Sequence, residues 1–223
     1  SLNRYAGPLA QVIAGLQWFV SKSGVCATNG VMAGAFTKTS PTVAHPDVQY
    51  HFFPFFLDGL DLSRTYGGFC MCVGTLRAKS RGRISLASSS PFDVPLIDFK
   101  YFDEPEDLAD MRTCVKQARE VATQRALRQF GDQEQALWRQ ARSDNEIDQM
   151  IRDRAESAYH PCGSCKMGTD ELAVVDPECR VRGVDGLRVV DSSIFPSITS
   201  GNLNAPSIMV GERAADLICG GVT

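Results

Sequence analysis

Residues 187–218 read Leu187-Arg188-Val189-Val190-Asp191, then Ser192-Ser193-Ile194-Phe195-Pro196-Ser197-Ile198-Thr199-Ser200-Gly201-Asn202-Leu203-Asn204, then Ala205-Pro206-Ser207-Ile208-Met209-Val210-Gly211-Glu212-Arg213-Ala214-Ala215-Asp216-Leu217-Ile218. The run Leu187-Arg188-Val189-Val190, apolar apart from Arg188, predicts a strand ending on Asp191, and the Ser-, Gly- and Asn-rich stretch 197–204 predicts a loop. Apolar residues then recur at helical spacing, which predicts a helix from about residue 205 to residue 218. A loop that exposes its backbone at the carboxyl end of a strand is a common place for an open sheet to bind a ligand.

Upstream, Asp103-Glu104-Pro105-Glu106 is an acidic, proline-bearing helix start of the kind the positive end of the helix dipole favours. Leu108, Met111, Val115, Ala118, Val121 and Ala122 continue it. Ser143-Asp144-Asn145-Glu146 reads as a capping box, with Ile147, Met150 and Ile151 on the inner face of the helix it opens. The Gln- and Arg-rich stretch 124–142 predicts surface. Short strands precede these helices, at 34–38, at an aromatic-rich 48–57, and at 68–76 and 83–88. The last two are expected to pair as a β-hairpin through Ser80-Arg81-Gly82, with 97–101 as an edge segment. Leu9, Val12, Ile13, Leu16, Phe19 and Val20 mark a first helix that stops at 21–24. Strands, then helices, then one strand–loop–helix unit predict an α+β fold, a mainly antiparallel sheet with flanking helices.

A chain of 223 residues is one sizeable domain or a piece of a larger one. Its formal charge of -3 gives no electrostatic case for nucleic acid or an anionic membrane surface. The short basic run Arg77, Lys79, Arg81, Arg83 reads as a solvated strand edge. No stretch approaches the ~18–20 uninterrupted apolar residues of a spanning helix. The sequence opens on Ser1 with no initiator Met and no leader pattern, so the expectation is that the beginning of the polypeptide is missing. Eight cysteines lack the dense spacing of a disulfide scaffold. They read as reduced, mostly buried thiols, which favours a cytoplasmic setting, either free or peripherally attached to a membrane.

Two stretches carry chemistry. Tyr159-His160-Pro161-Cys162-Gly163-Ser164-Cys165-Lys166-Met167-Gly168 places one histidine before a Gly-rich turn. Histidine titrates near neutrality and so can take and return a proton. The loop after Asp191 presents Asn202 and Asn204. Cys162-x-x-Cys165 admits a thiol–disulfide reading, but no thioredoxin-like βαβ pattern surrounds it. A metal site from His160, Cys162 and Cys165 lacks an obvious fourth ligand.

The order His160-Pro161-x-x-x-Cys165-Lys166-Met167-Gly168, Val174-Val175-Asp176-Pro177, Gly183-Val184-x-Gly186-Leu187-Arg188-Val189-Val190-Asp191-Ser192-Ser193-Ile194-x-Pro196, Ser200-Gly201-Asn202-Leu203-Asn204-Ala205-Pro206 and Gly211-Glu212-Arg213-Ala214-Ala215-Asp216 closely resembles the glucose–methanol–choline oxidoreductases. The choline dehydrogenase-like branch is the nearest. Weaker similarity runs upstream through Ser80-Arg81-Gly82 and Tyr101-Phe102-Asp103 to Gln49-Tyr50-His51.

The resemblance implies an enzyme that holds FAD and moves hydride from a small alcohol onto the flavin. It implies that His160 accepts the hydroxyl proton, that Asn202 hydrogen-bonds the substrate oxygen, and that His51 is a second pocket histidine or, equally, a histidine on an aromatic core strand. Asp191, Ser192, Gly201, Asn202 and Leu203 align with positions that approach the cofactor. Residues 1–186 would form the substrate-binding domain, and 187–223 would complete the FAD-binding domain.

The Gly-x-Gly-x-x-Gly turn that seats the pyrophosphate in this family is not in the sequence. The N-terminal FAD-binding half is therefore expected either upstream or on a separate chain. A catalytically incomplete module that pairs with such a chain is the alternative, and a homo-oligomer is a further option. Tyr50, Phe52, Phe53, Phe55 and Phe56 either pack a core or cage a cation, so the identity of the alcohol stays open.

Overall fold

The structure is a computed structural model that describes residues 1–58, 61–62, 67–130 and 134–220. The elements in chain order are helix α1 (Pro8–Ser21), strands β1 (Ala33–Thr37), β2 (Val48–Phe53), β3 (Leu57–Asp58), β4 (Asp61–Leu62), β5 (Cys70–Thr75), β6 (Arg83–Ser85) and β7 (Leu96–Asp98), then helices α2 (Pro105–Ala122), α3 (Arg125–Arg128), α4 (Ala136–Gln140), α5 (Asp144–Arg154) and α6 (Asn204–Ile218). Every strand pairing is antiparallel, which makes this the expected α+β fold. The chain divides into two compact units, Ser1–Thr75 with Leu108–Ala155, and Leu76–Asp107 with Glu156–Thr223.

In the first unit β2 lies at the centre of a three-stranded sheet of order β1-β2-β5. Side chains alternate between its faces. Val48, Tyr50 and Val73 take the face that packs on Cys114, Met111 and Ala118 of α2. Polar bonds fix this packing: Tyr50 Oη and Thr37 Oγ1 both donate to Gln117 Oε1, at 2.9 and 3.1 Å, and Gln117 Nε2 donates to Lys38 O. Burial accordingly pushes the Tyr50 phenol up from its usual range.

Helix α5 starts on the capping box read from the sequence. Ser143 accepts from the Glu146 amide, and the Glu146 carboxylate takes the Ser143 N–H at 2.8 Å. Its buried face is Ile147, Met150 and Ile151. Arg112 of α2 forks onto Asp148 at 2.6 and 2.9 Å, a bidentate pair that sets the register of α2 against α5.

Helix α1 begins on Pro8, where a missing N–H costs nothing, and ends on Lys22 in the left-handed region. Its apolar stripe is not buried within this chain. Ala14 is inside, whereas Leu9, Val12, Ile13, Leu16, Phe19 and Val20 are exposed. Among the described residues no helix is long and apolar enough to cross a membrane.

Three sequence expectations are corrected. The strand expected at 48–57 ends at Phe53, because Pro54 removes a ladder donor. The expected hairpin between 68–76 and 83–88 does not form: β5 pairs with β2, and β6 with β7. Asp107 is the reason. It is buried and accepts from Lys79 N at 2.8 Å, Ser80 N at 2.7 Å and the Ser80 hydroxyl, which holds 79–80 away from a turn. Gly82 then runs so close to β7 that a Cβ would collide with the Asp98 carbonyl.

The third correction concerns 187–190, which makes an isolated bridge at Arg188 instead of a strand. The tight connection through Gly183 and Gly186, both with positive φ, folds 187–189 back onto 179–181. Only Val181 N to Leu187 O and Val189 N to Cys179 O are bonded before the chain diverges.

The core of the second unit gathers Val175, Cys179, Ile194, Phe195, Leu203, Val210 and Ala214. Through it runs a main-chain lacing: the amides of Gly163, Cys165 and Met167 donate to the carbonyls of Ser192, Ser193 and Ile194, at 3.3, 2.9 and 2.7 Å.

Candidate active site

That lacing brings the His160 segment and the Asn202 loop side by side, both within the second unit. Tyr159 sits at φ 60°, a left-handed conformation that costs a non-glycine residue roughly 1–2 kcal/mol. Its amide is held by Ser157 Oγ at 2.9 Å. Pro161 restricts His160 from the other side, and the Ser192 hydroxyl donates to Pro161 O. The imidazole is thus positioned by backbone constraints on both flanks.

His160 Nε2 lies 2.7 Å from Asn202 Nδ2, and Leu203 N–H points at His160 Nδ1 over 3.4 Å. Leu203 is the N-cap of α6 and has no side-chain cap of its own, so the ring nitrogen takes one of the orphan donors at that helix start. A neutral imidazole offers one lone pair and one N–H. With Leu203 N–H on Nδ1, Nε2 carries the hydrogen and Asn202 must present its carbonyl oxygen. With Nε2 bare, Asn202 presents its NH2 and the longer contact lapses. The contact is thus compatible with two arrangements, Nε2 protonated or Nε2 bare, separated by one amide flip and one tautomer shift.

A cavity of about 310 Å³ opens here, lined by His160, Ser192, Leu203, Asn204 and Ser207, with Tyr159 at its rim. Its volume lies at the small end of ligand sites. Asn202 reaches the ring from an exposed loop that Thr199 braces by donating to Gly201 O at 3.0 Å. Gly201 has open space where a Cβ would stand. Asp191 caps the turn Ser192–Ile194 through the Ser193 amide at 2.7 Å.

His51 belongs to the first unit, half-buried on β2, facing Gly34 on one side and Cys72 on the other. The structure thus joins His160, Asn202 and Leu203 directly, with Ser192 on the same cavity. Two contributions had no signal in the sequence: the Leu203 backbone amide and the left-handed Tyr159.

The cysteines beside the site are quiet. Burial pushes the Cys162 thiol up, only partly offset by the charge of Arg81, the opposite of an activated redox thiol. None of the eight cysteines is in a disulfide, and among the described residues no group of three His, Cys, Asp or Glu side chains is placed to hold a metal ion.

The chain belongs to the GMC oxidoreductase family, whose model matches residues 78–211. It is 50% identical over 214 residues to the oxygen-dependent choline dehydrogenase of Sinorhizobium fredii, covering 94% of this chain and 39% of that protein. The protein of the same description from Brucella ovis is 49% identical over 210 residues, covering 92% and 38%. The chain therefore spans about two-fifths of the length of these relatives. Its fold matches a formate oxidase of Aspergillus oryzae RIB40 with a TM-score of 0.81 at 22% identity, covering 96% of this chain and 42% of that one. It also matches pyridoxine 4-oxidase from Mesorbium loti, with a TM-score of 0.75 at 23% identity, covering 85% and 38%.

Proposed function

We propose that this chain is the substrate-side, C-terminal part of an FAD-dependent alcohol oxidoreductase in which His160 and Asn202 handle the hydroxyl group of the alcohol. The observation that carries this reading is the 2.7 Å approach of Asn202 to His160 Nε2, with His160 lining a small cavity. With Nε2 bare, His160 takes the hydroxyl proton there. The Asn202 NH2 donates to the same oxygen, where negative charge grows as the proton leaves. FAD would supply the hydride acceptor.

The donor set fits the edge of such a cofactor: an imidazole, a carboxamide, a backbone N–H and the hydroxyls of Ser192 and Ser207 on one cavity. Asp191, Ser192, Gly201, Asn202 and Leu203 would hold it there. On this reading residues 187–223 complete the FAD-binding domain, and the phosphate-binding turn lies in the part of the protein outside this sequence. His51 would serve as a second polar group toward substrate. The shared description of the relatives makes choline the first alcohol to test. Cysteines outside any disulfide fit a reducing, cytoplasmic setting.

The test is alcohol-dependent flavin reduction without oxygen in the full-length protein. His160→Ala should slow it ~100-fold or more, as loss of a general base does, and near-normal reduction sinks the assignment. A second reading, that the chain alone is catalytically incomplete, is favoured by its covering 38% of the Brucella ovis relative. Under that reading the isolated chain stays colourless with added FAD and turns yellow only with the N-terminal half.

A further inference from the structure

The segment Thr28-Asn29-Gly30-Val31 joins a short 3-10 turn, Val25–Ala27, to β1. Asn29 is exposed. Attack of the Gly30 nitrogen on the Asn29 side-chain carbon closes a succinimide ring, a step that a Cβ on residue 30 would crowd and that glycine leaves open. Gly30 also sits at φ +82°, where any side chain is strained. Two hydrogen bonds bear on the groups that would react. The Val31 N–H donates to Asn29 Oδ1 at 3.1 Å, and the Gly30 N–H donates to Thr28 Oγ1 at 2.9 Å. The first polarises the carboxamide and faces the oxygen on which negative charge grows during attack. The second points the proton that has to leave at a hydroxyl oxygen able to accept it.

We propose that Asn29 is a site of non-enzymatic deamidation in the folded protein, assisted by the Thr28 hydroxyl and the Val31 amide. The Gly30 nitrogen gives up its proton and bonds to Asn29 Cγ. The Cγ–Nδ2 bond breaks, and that nitrogen departs as ammonia with the proton. Water then adds to one of the two carbonyls of the succinimide and opens the ring. The product is aspartate or, with the main chain rerouted through the side chain, isoaspartate. One water is consumed and one ammonia released, and nothing is oxidised or reduced. Both products put a carboxylate into residues 1–46, which hold Arg4, Lys22 and Lys38 but no Asp or Glu. Isoaspartate also lengthens the main chain just ahead of β1, where Met32 N–H donates to Phe52 O at 3.1 Å and Ala33 pairs with Phe52. The chemistry needs neither a flavin nor His160.

Trypsin releases residues 23–38, in which Asn29 is the only Asn or Gln. The full-length protein is held folded at neutral pH in water labelled with oxygen-18, then digested in ordinary water at mildly acidic pH and weighed. The wild-type peptide should gain about 3 Da, against about 1 Da for any conversion during digestion. An isoaspartyl methyltransferase should methylate part of the converted peptide. Thr28→Val should slow the gain about 2- to 10-fold, as loss of one neutral hydrogen bond does. Asn29→Gln should abolish it, since the longer side chain cannot close the same ring. A folded wild type that stays unlabelled while the synthetic peptide 23–38 converts fully would overturn the proposal. So would a Thr28→Val protein that converts as fast as the wild type.

Discussion

Because Asn202 touches His160, their contributions to the reaction should not be independent, and a double-mutant cycle measures this. Asn202→Ala removes the carboxamide 2.7 Å from the ring and, in the proposed mechanism, the donor facing the alcohol oxygen. Losing one donor aimed at a developing oxyanion costs roughly 2.7–4 kcal/mol, about 10²- to 10³-fold in rate. His160→Ala costs about 10²- to 10⁴-fold. Independent effects would multiply to at least about 10⁴-fold in the double variant. Residues in contact couple by roughly 0.5–3 kcal/mol, so the double variant should retain about 2- to 150-fold more activity than that product. The assay is stopped-flow flavin reduction by the alcohol without oxygen, on the full-length wild type, both single variants and the double. Effects that multiply to within about 0.3–0.5 kcal/mol would show that the contact does not act as a unit, and the mechanism above would be wrong.

Three further outcomes follow from the second unit. Asp107→Ala removes the acceptor of the part-buried Lys79 and Ser80 amide bonds at about 0.5–1.5 kcal/mol each, read as a lower urea midpoint, and a shift under about 0.5 kcal/mol counts against the anchor. Burial alone would raise the Asp107 carboxyl, but the Ser80 hydroxyl, the amides of Lys79 and Ser80 and the charge of Arg81 hold it below its ordinary range. Its folded pKa is thus the depressed one, so its stabilisation is full above about pH 4 and is lost as the pH falls further; in Asp107→Asn that part of the acid sensitivity should vanish. Gly82→Ala places a methyl on the Asp98 carbonyl and 2.8 Å from Phe99 Cα, which should cost about 1–3 kcal/mol, and a wild-type melting temperature would refute that packing.

What was legible in the sequence was local. The capping box at Ser143, the proline start at Pro105 and the helical spacing of 9–20 each rest on residues within one or two turns, and all three form. Pairings were less legible, since they turn on distant partners. Nothing near Ser80 shows that Asp107 will capture it, 27 residues on, and so prevent a hairpin. The apolar stripe of α1 announces a helix without announcing what covers it, and within this chain it lies open. His160 and Asn202 could be named from their motifs. Their meeting, 42 residues apart, depends on amides that every residue carries and no motif displays.

The lacing of 163, 165 and 167 onto 192, 193 and 194 has an evolutionary consequence. The segments that carry His160 and Asn202 are held together by main-chain bonds, and side-chain substitution leaves main-chain bonds in place. Neighbouring side chains can therefore drift, altering the size and polarity of the cavity, while His160 and Asn202 keep their spacing. Proline at 163, 165 or 167 is the exception, because it alone brings no N–H to the seam.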